Sequence, residues 1–444
     1  MSLDRNYCND NTYHRANRTS ALFLQLPVFD GVSNPRLRDL DILIFADYYL
    51  PSYKAGGPIR SLSSLIEALG DEIRFHLVTR DRDLSDEEPF FGLSPDGWKK
   101  VGKAEVLYCA PGRRGRQAMR RAVCDRSWDL VYVNSLFSPT YSILPLVWWR
   151  IGRLRSKLFV IAPKGECHPG ALAGKARKKA LFLRMARLFG LHRHVRWHAS
   201  TSQEANDIAS SLRLDLLQRA DIGIAPDIPL HLQGDPSHTP AEEARRPKER
   251  GSLNVIFLSR ITPMKNLLFA LERLRTIEGA VTFNIYGPID DPHYWQSCLS
   301  AIAKAPPQHR IHYHGTLSHA SVLGAFRQHD LFFMPTRGEN FGHVILESLS
   351  VGTPVIISNQ TPWRGLEAQH AGWDLSLDQP EGFCSALKQC VEMEESTYRE
   401  WRHGARSYFE SLDIIPDSIR QNRELFREWA SVPDRRSSVE GTLP

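Results

Sequence analysis

"RGENFGHVILESLSVGTPVI", Arg337 to Ile356, holds two glutamates, Glu339 and Glu347, with seven residues between them. Glu339 stands beside Asn340, Phe341 and Gly342, a combination that reads as loop. Upstream, "DLFFMP" reads as a buried strand; downstream, the run after Gly342 reads as a helix. Gly352 stops that helix, and Pro354 bars its continuation before the strand "PVIIS". The segment is one strand–loop–helix–strand unit of a parallel α/β sheet. Glu339 thus falls at the carboxyl end of a strand, the edge where open α/β sheets bind ligands. The amides of Asn340, Phe341 and Gly342 at the helix start suit a phosphate or a polar sugar oxygen. Glu347, about a turn and a half into the helix, is placed to accept hydrogen bonds from ribose hydroxyls. On spacing alone, Glu339 serves equally well as a capping acid and Glu347 as a solvated helix residue.

Working outward, the same alternation continues on both sides. "LNVIFLS", "VTFNIYG" and "IHYHG" read as strands, and "NLLFALERL" and "HYWQSCLSAIAKA" as helices. "LSRITPMKN" puts Arg260 and Lys265 in the loop after the first of these strands, where two cations form a clamp for a diphosphate. An earlier series runs from "DILIFADYYLP" at Asp41 through the helix "PIRSLSSLIEALG" to the strands "RFHLVTR", "DLVYVNS" and "KLFVIAP". Between the two series, "LQGDPSHTPAEEARRPKERGS" is polar, charged and broken by proline. The expected organisation is a polar tail over 1–38, a first α/β domain over 39–230 and a linker over 231–251. A second α/β domain follows over 252–410, then a helix and tail over 411–444.

Bulk properties agree with this division. A chain of 444 residues is too long for one ordinary core. Its 42% hydrophobic and 24% charged residues are those of a soluble globular protein. No apolar run approaches the ~20 residues that span a bilayer. "ALFLQLPVF", interrupted by Gln25 and Pro27, makes a poor secretory signal. Seven cysteines without a CxxC pair argue against a metal or disulfide framework and for a reducing cytoplasm. The net charge of +6, from 56 basic and 50 acidic residues, does not by itself indicate a nucleic-acid partner.

With these residues in place, the second domain resembles the nucleotide-binding half of the retaining GT-B glycosyltransferases. The resemblance is to the "glycosyl transferases group 1" family, also called family 4. Members carry Arg and Lys after the first strand of this domain and a glutamate–seven residues–glutamate motif running into a helix. Arg260, Lys265, Glu339, Asn340, Phe341, Gly342 and Glu347 occupy those places. The resemblance implies that Arg260 and Lys265 bind the donor diphosphate, that Glu339 contacts the transferred sugar and that Glu347 contacts the ribose. "YYLPSYKAGGPIRSLSSLIEALG" is similar to the family's glycine-rich loop, in which Gly56 and Gly57 let the backbone approach the donor. "APKGECHPGAL" resembles a "PRG" turn ahead of a basic helix, and "STSQEANDI" the strand and helix that follow it. The resemblance spans residues 40 to 430. It implies two Rossmann-like doubly wound domains facing each other across a cleft, with the C-terminal helix crossing back to the first.

The implied activity moves a sugar from a nucleoside diphosphate sugar to a hydroxyl acceptor, with retention and without a metal or other cofactor. Bacterial polysaccharide, lipopolysaccharide or glycolipid synthesis is the implied setting. One departure stands out: where many members have a histidine after the strand "DLVYVN", this chain has Tyr132 and Asn134. Asn134 can still hydrogen-bond a sugar, and His168 and His343 are the histidines nearest the expected cleft. A catalytically degenerate nucleotide-sugar-binding subunit and a nucleotide-sugar epimerase are the alternative readings. The "DRD" of Asp81 to Asp83 falls on the acceptor side and reads as a loop, not a metal motif. "LPLVWWRIGRLRSK" and the run Lys175, Arg177, Lys178, Lys179 suit peripheral contact with the inner face of a membrane. They suit equally a set of core tryptophans and solvated helix faces.

Overall fold

Successive residues of the strand β1 (Asp41–Phe45) face opposite layers of the first domain. Ile42 and Ile44 pack into one core with Leu62, Leu65 and Ile66 of the helix α1 (Gly57–Leu69). Leu43 and Phe45 pack into the other, with Met119 and Val123 of the helix α2 (Gly112–Cys124). A parallel strand buried on both faces must be apolar throughout, which is why "DILIF" shows no alternation. The structure, a computed structural model, describes residues 37, 40–92, 97–173, 176–229, 246–412 and 414–432. Most of the expected tail, most of the expected linker, Lys175 and residues 433–444 lie outside the described residues.

The first sheet continues with β2 (Arg74–Arg80), β3 (Lys99–Val101), β4 (Ala104–Cys109), β5 (Ser127–Val133), β6 (Arg155–Ile161), β7 (Arg196–Ala199) and β8 (Ile222–Ile224). Its spatial order is β3-β4-β2-β1-β5-β6-β7-β8, parallel except where β3 runs antiparallel against β4. The second sheet holds β9 (Ser252–Leu258), β10 (Ala280–Tyr286), β11 (Arg310–Tyr313), β12 (Leu331–Met334), β13 (Val355–Ser358) and β14 (Gly372–Leu375). Its order is β11-β10-β9-β12-β13-β14, and every pairing is parallel. In both sheets the order reverses beside the first strand, which creates the crevice in which such sheets bind ligands.

The C-terminal helix Ile414–Ser431 returns to the first domain. Leu425, Phe426 and Trp429 enter its core, Asn422 Nδ2 donates to the Pro226 carbonyl at 2.8 Å, and Arg423 pairs with Glu72 at 2.7 Å. Gly223 makes room for this helix, since a Cβ there would lie 2.4 Å from Leu425.

Two expectations change. Trp148 and Trp149, in the short helix α3 (Leu144–Arg150), are core residues beneath β6, so this stretch offers no tryptophan to a membrane surface. The strands β3, β4, β8 and β14 add to those expected from the sequence. Three of them are only three or four residues long, and β3 is a polar edge too short to show a period.

Candidate active site

A cleft of about 320 Å³ opens between the carboxyl edges of the two sheets. From the first domain it takes the loop after β1, which runs through Gly56 and Gly57, and the loop after β6. Gly56 has φ +73°, and nothing stands within 4 Å of where its Cβ would be, so glycine serves here both the turn and the open space. Asp83 holds the loop from beneath by accepting from the amides of Tyr53 at 2.9 Å and Lys54 at 3.3 Å. Asp81 is meanwhile paired with Arg82 at 2.8 Å. The "DRD" carboxylates therefore tie down loops.

The second domain supplies the facing wall. Lys265 and Glu339, 74 residues apart in sequence, form an ion pair there. Their loops are stitched together: Arg337 N donates to the Met264 carbonyl at 2.8 Å, and Asn266 Nδ2 to that of Pro335 at 3.0 Å. Arg260 lines the same wall more openly, with its guanidinium 2.8 Å from Asp290. Two cations and a carboxylate thus converge opposite the glycine loop, as the sequence pattern suggests.

The lobes touch around this space. Gly165 has no side chain because one would meet the Asn340 amide at 3.1 Å, and a Cβ on Gly338 would lie 2.9 Å from the His168 ring. His168 lines the cleft, and its Nδ1 accepts from the Gly170 amide at 3.1 Å. Asn340 also lines it, and its Nδ2 is buried with no hydrogen-bond partner among the described residues. Gly342, the N-cap of the helix His343–Ser350, adopts φ +80°.

Three expected contacts lie elsewhere. Phe341 faces inward, with its carbonyl accepting from Trp363 Nε1 at 2.6 Å and its ring against the tryptophan, so it anchors the loop from behind. Asn134 lies behind the glycine loop, donating to the Pro58 carbonyl at 3.4 Å, and does not line the cleft. Glu347 is also absent from the cleft wall. Its carboxylate is ion-paired with Arg60 of α1, and its second oxygen is buried without a partner among the described residues. Burial pushes the Glu347 pKa up, against the opposing pull of Arg60.

Four charged residues at or behind the cleft escape the sequence reading. Arg60, in the first turn of α1, lines the cleft and closes on Glu347. Lys164 and Asp227 form a pair at 2.5 Å, with side chains 11% and 8% exposed, which makes it a buried one. Burial alone would raise the Asp227 pKa, but the Lys164 ammonium and the Ser61 hydroxyl bring it down to about 2. Glu166 accepts from Ser135 Oγ at 3.0 Å and from the amides of Leu136 and Phe137 at 2.5 and 3.2 Å. Burial nonetheless raises its pKa. The only sequence signal for this group is position, since Arg60 and Lys164 both sit beside glycine-containing strand ends. His343 lines the cleft and bonds Ser61 Oγ through Nε2 at 2.9 Å; burial lowers its pKa to about 4, so it is neutral.

Comparison with known proteins adds the following. Residues 239–407 match the family model "Glycosyl transferases group 1". An uncharacterized 41.2 kDa protein in the cps region of Klebsiella pneumoniae is 28% identical over 112 residues, which is 25% of this chain and 29% of that protein. Among solved structures, HepE of Anabaena in complex with UDP-glucose has TM-score 0.61 at 14% identity, covering 88% of this chain and all (100%) of that one. The sucrose-phosphate synthase of Thermosynechococcus elongatus gives 0.63 at 14% identity, covering 88% and 98%. WaaG, a glycosyltransferase involved in lipopolysaccharide biosynthesis, gives 0.58 at 12% identity, covering 89% and 100%. At such identities the likeness shows the fold, which is GT-B: two Rossmann-like domains across a cleft. The family match falls on the second of these two domains.

Proposed function

We propose that this protein is a retaining glycosyltransferase that moves a hexose from a nucleoside diphosphate sugar to a hydroxyl acceptor. The observation that carries the reading is the convergence of Arg260, Lys265 and Glu339 on one cleft wall, opposite Gly56 and Gly57. As the glycosidic bond breaks, negative charge collects on the leaving diphosphate, and cations already in place stabilise it most. Arg260 and Lys265 fill that role, while Glu339, released from Lys265 as the diphosphate enters, orients the transferred sugar. No metal is assigned to the reaction. Attack and departure take place on one face of the sugar. The contact between the lobes keeps water out and limits hydrolysis of the donor. Glu347 reaches the ribose only when Arg60 lets go of it, so the state described here precedes full donor engagement.

The acceptor belongs to cell-surface polysaccharide, lipopolysaccharide or glycolipid synthesis, reached from the cytoplasmic face of the membrane. Support comes from the helix Ala176–Leu188, where Leu181, Met185 and Leu188 are exposed alongside Arg177, Lys178 and Arg184. Apolar and basic groups exposed together suit an anionic lipid surface. Among the described residues, no helix is long and apolar enough to cross a membrane.

The experiment is a thermal-shift screen against nucleotide sugars, because a bound donor raises apparent stability. One or more donors should raise Tm in the wild type and fail to do so in Lys265→Ala. A flat response across the panel contradicts the reading.

A further inference from the structure

The loop that carries Glu339 is tied down on the approach to Asn340. Thr336 Oγ1 donates to the Met264 carbonyl at 3.1 Å and accepts from the Gly338 amide at 3.3 Å. The Glu339 amide donates to the Gln360 carbonyl at 2.9 Å, and its carboxylate pairs with Lys265. Asn340 differs: its side-chain Nδ2 is buried with no hydrogen-bond partner among the described residues, in a residue that lines the cleft. A buried amide nitrogen without an acceptor is rare in a folded protein, because it has lost water without gaining a partner. In a cleft wall, such a group points to an oxygen that the ligand supplies.

The facing lobe is shaped around this amide. Gly165, at φ +81°, stands directly across, and a Cβ there would lie 3.1 Å from Nδ2 and 3.2 Å from Oδ1. Its own amide donates to Glu204 Oε1 at 2.7 Å, and Glu204 Oε2 accepts from the Ser200 amide at 2.8 Å, so the backbone opposite Asn340 is fixed. The carboxamide is thereby confined between the lobes, next in sequence to Glu339. The proposed reaction brings two kinds of ligand oxygen into this cleft. Phosphoryl oxygens carry charge and only accept hydrogen bonds, and Arg260 and Lys265 are assigned to them. Sugar hydroxyls both give and take a hydrogen bond, as a neutral carboxamide does. The chemistry of Asn340 matches the hydroxyl.

We infer that Asn340 is a specificity-determining residue, whose carboxamide hydrogen-bonds a hydroxyl of the transferred sugar beside Glu339. The inference rests on the proposed donor site and adds to it the group that reads the sugar. A site that hydrogen-bonds a hydroxyl rejects an analogue lacking it, since the protein group is then left buried and unpartnered.

The test measures binding to full-length protein by calorimetry, for UDP, GDP, ADP and dTDP and for UDP-glucose, GDP-mannose, ADP-glucose and dTDP-glucose. Two variants are compared with wild type: Asn340→Ala removes the amide, and Asn340→Leu keeps its approximate shape but not its hydrogen bonds. Both should weaken the sugar conjugate by about tenfold and leave the matching bare diphosphate within about twofold. Because Nδ2 has no partner in the ligand-free protein, Asn340→Leu should not lower Tm. A conjugate held as tightly by Asn340→Leu as by wild type would reduce the residue to packing between the lobes and overturn the inference. Equal weakening of conjugate and diphosphate overturns it too, as does a fall in the ligand-free Tm of Asn340→Leu. A wild type that binds a diphosphate and none of the conjugates has the same consequence while leaving the diphosphate site standing. Binding of none of the eight compounds to wild type contradicts the donor site itself.

Discussion

Arg60 and Glu347, 287 residues apart in sequence, form an ion pair that joins the first helix of one domain to the helix behind the cleft wall of the other. Glu347 is 4% exposed and Arg60 20%, so the pair is largely withdrawn from water. Removing one member of such a pair leaves the other charge without a partner. Here the stranded carboxylate can regain water if the lobes part.

The first prediction follows directly. Arg60→Ala should shift the ligand-free protein toward a more open arrangement, seen as a larger radius of gyration in small-angle X-ray scattering. Unchanged scattering would show that the pair does not hold the lobes together.

Lys164 and Asp227 make a buried pair within the first domain, their side chains 11% and 8% exposed. Lys164→Met should cost roughly 3–5 kcal/mol in denaturant unfolding. The double variant Lys164→Met/Asp227→Leu should recover most of that loss. A double variant as unstable as the single one would mean the pair contributes more than mutual neutralisation.

Acid should destabilise the fold earlier than carboxylate titration alone. Burial lowers the pKa of His192, His198 and His343 to about 4 from an ordinary 6.5. His198 explains the neutral form structurally: Nε2 donates to the Ala225 carbonyl at 3.0 Å, leaving Nδ1 to accept from the Tyr132 hydroxyl at 2.8 Å. Between these pKa values the unfolded chain binds more protons than the folded one, so stability rises with pH. The contribution is complete above pH 6.5 and is lost as pH falls toward 4, at up to about 3 kcal/mol per histidine. Melting temperature measured from pH 7 to pH 5 should fall, and His198→Gln should flatten the slope. A slope identical to wild type would remove His198 from the explanation.

Much of the fold was legible because buried parallel strands are written as unbroken apolar runs. "DILIF", "NVIFL" and "PVIIS" each gave a strand, and the glycines after them gave the loops. The convergence of Arg260, Lys265 and Glu339 followed from their shared place at strand ends. What the sequence could not show was contact across the domains. Nothing in "PIRSL" says that Arg60 will meet Glu347, because that meeting depends on how two separately folded sheets come together. Asn134 misled for a related reason: its position after β5 is at the correct edge, but the start of α1 covers it. Trp148 and Trp149 stayed open between core and surface in the sequence because a short helix of tryptophans beside arginines has one composition whether it is buried or exposed; they are core.

The most direct test of the account follows an acceptor hydroxyl through the reaction, using a donor identified by the thermal screen. Wild-type protein should release nucleoside diphosphate and place the sugar on the acceptor with the donor's anomeric configuration, read by NMR. Lys265→Ala and Glu339→Ala, still folded by circular dichroism, should lower kcat by about 10²–10³, the range for loss of one preorganised electrostatic group. A donor that binds but is never consumed, a product of inverted configuration, or unimpaired turnover in both variants would contradict it.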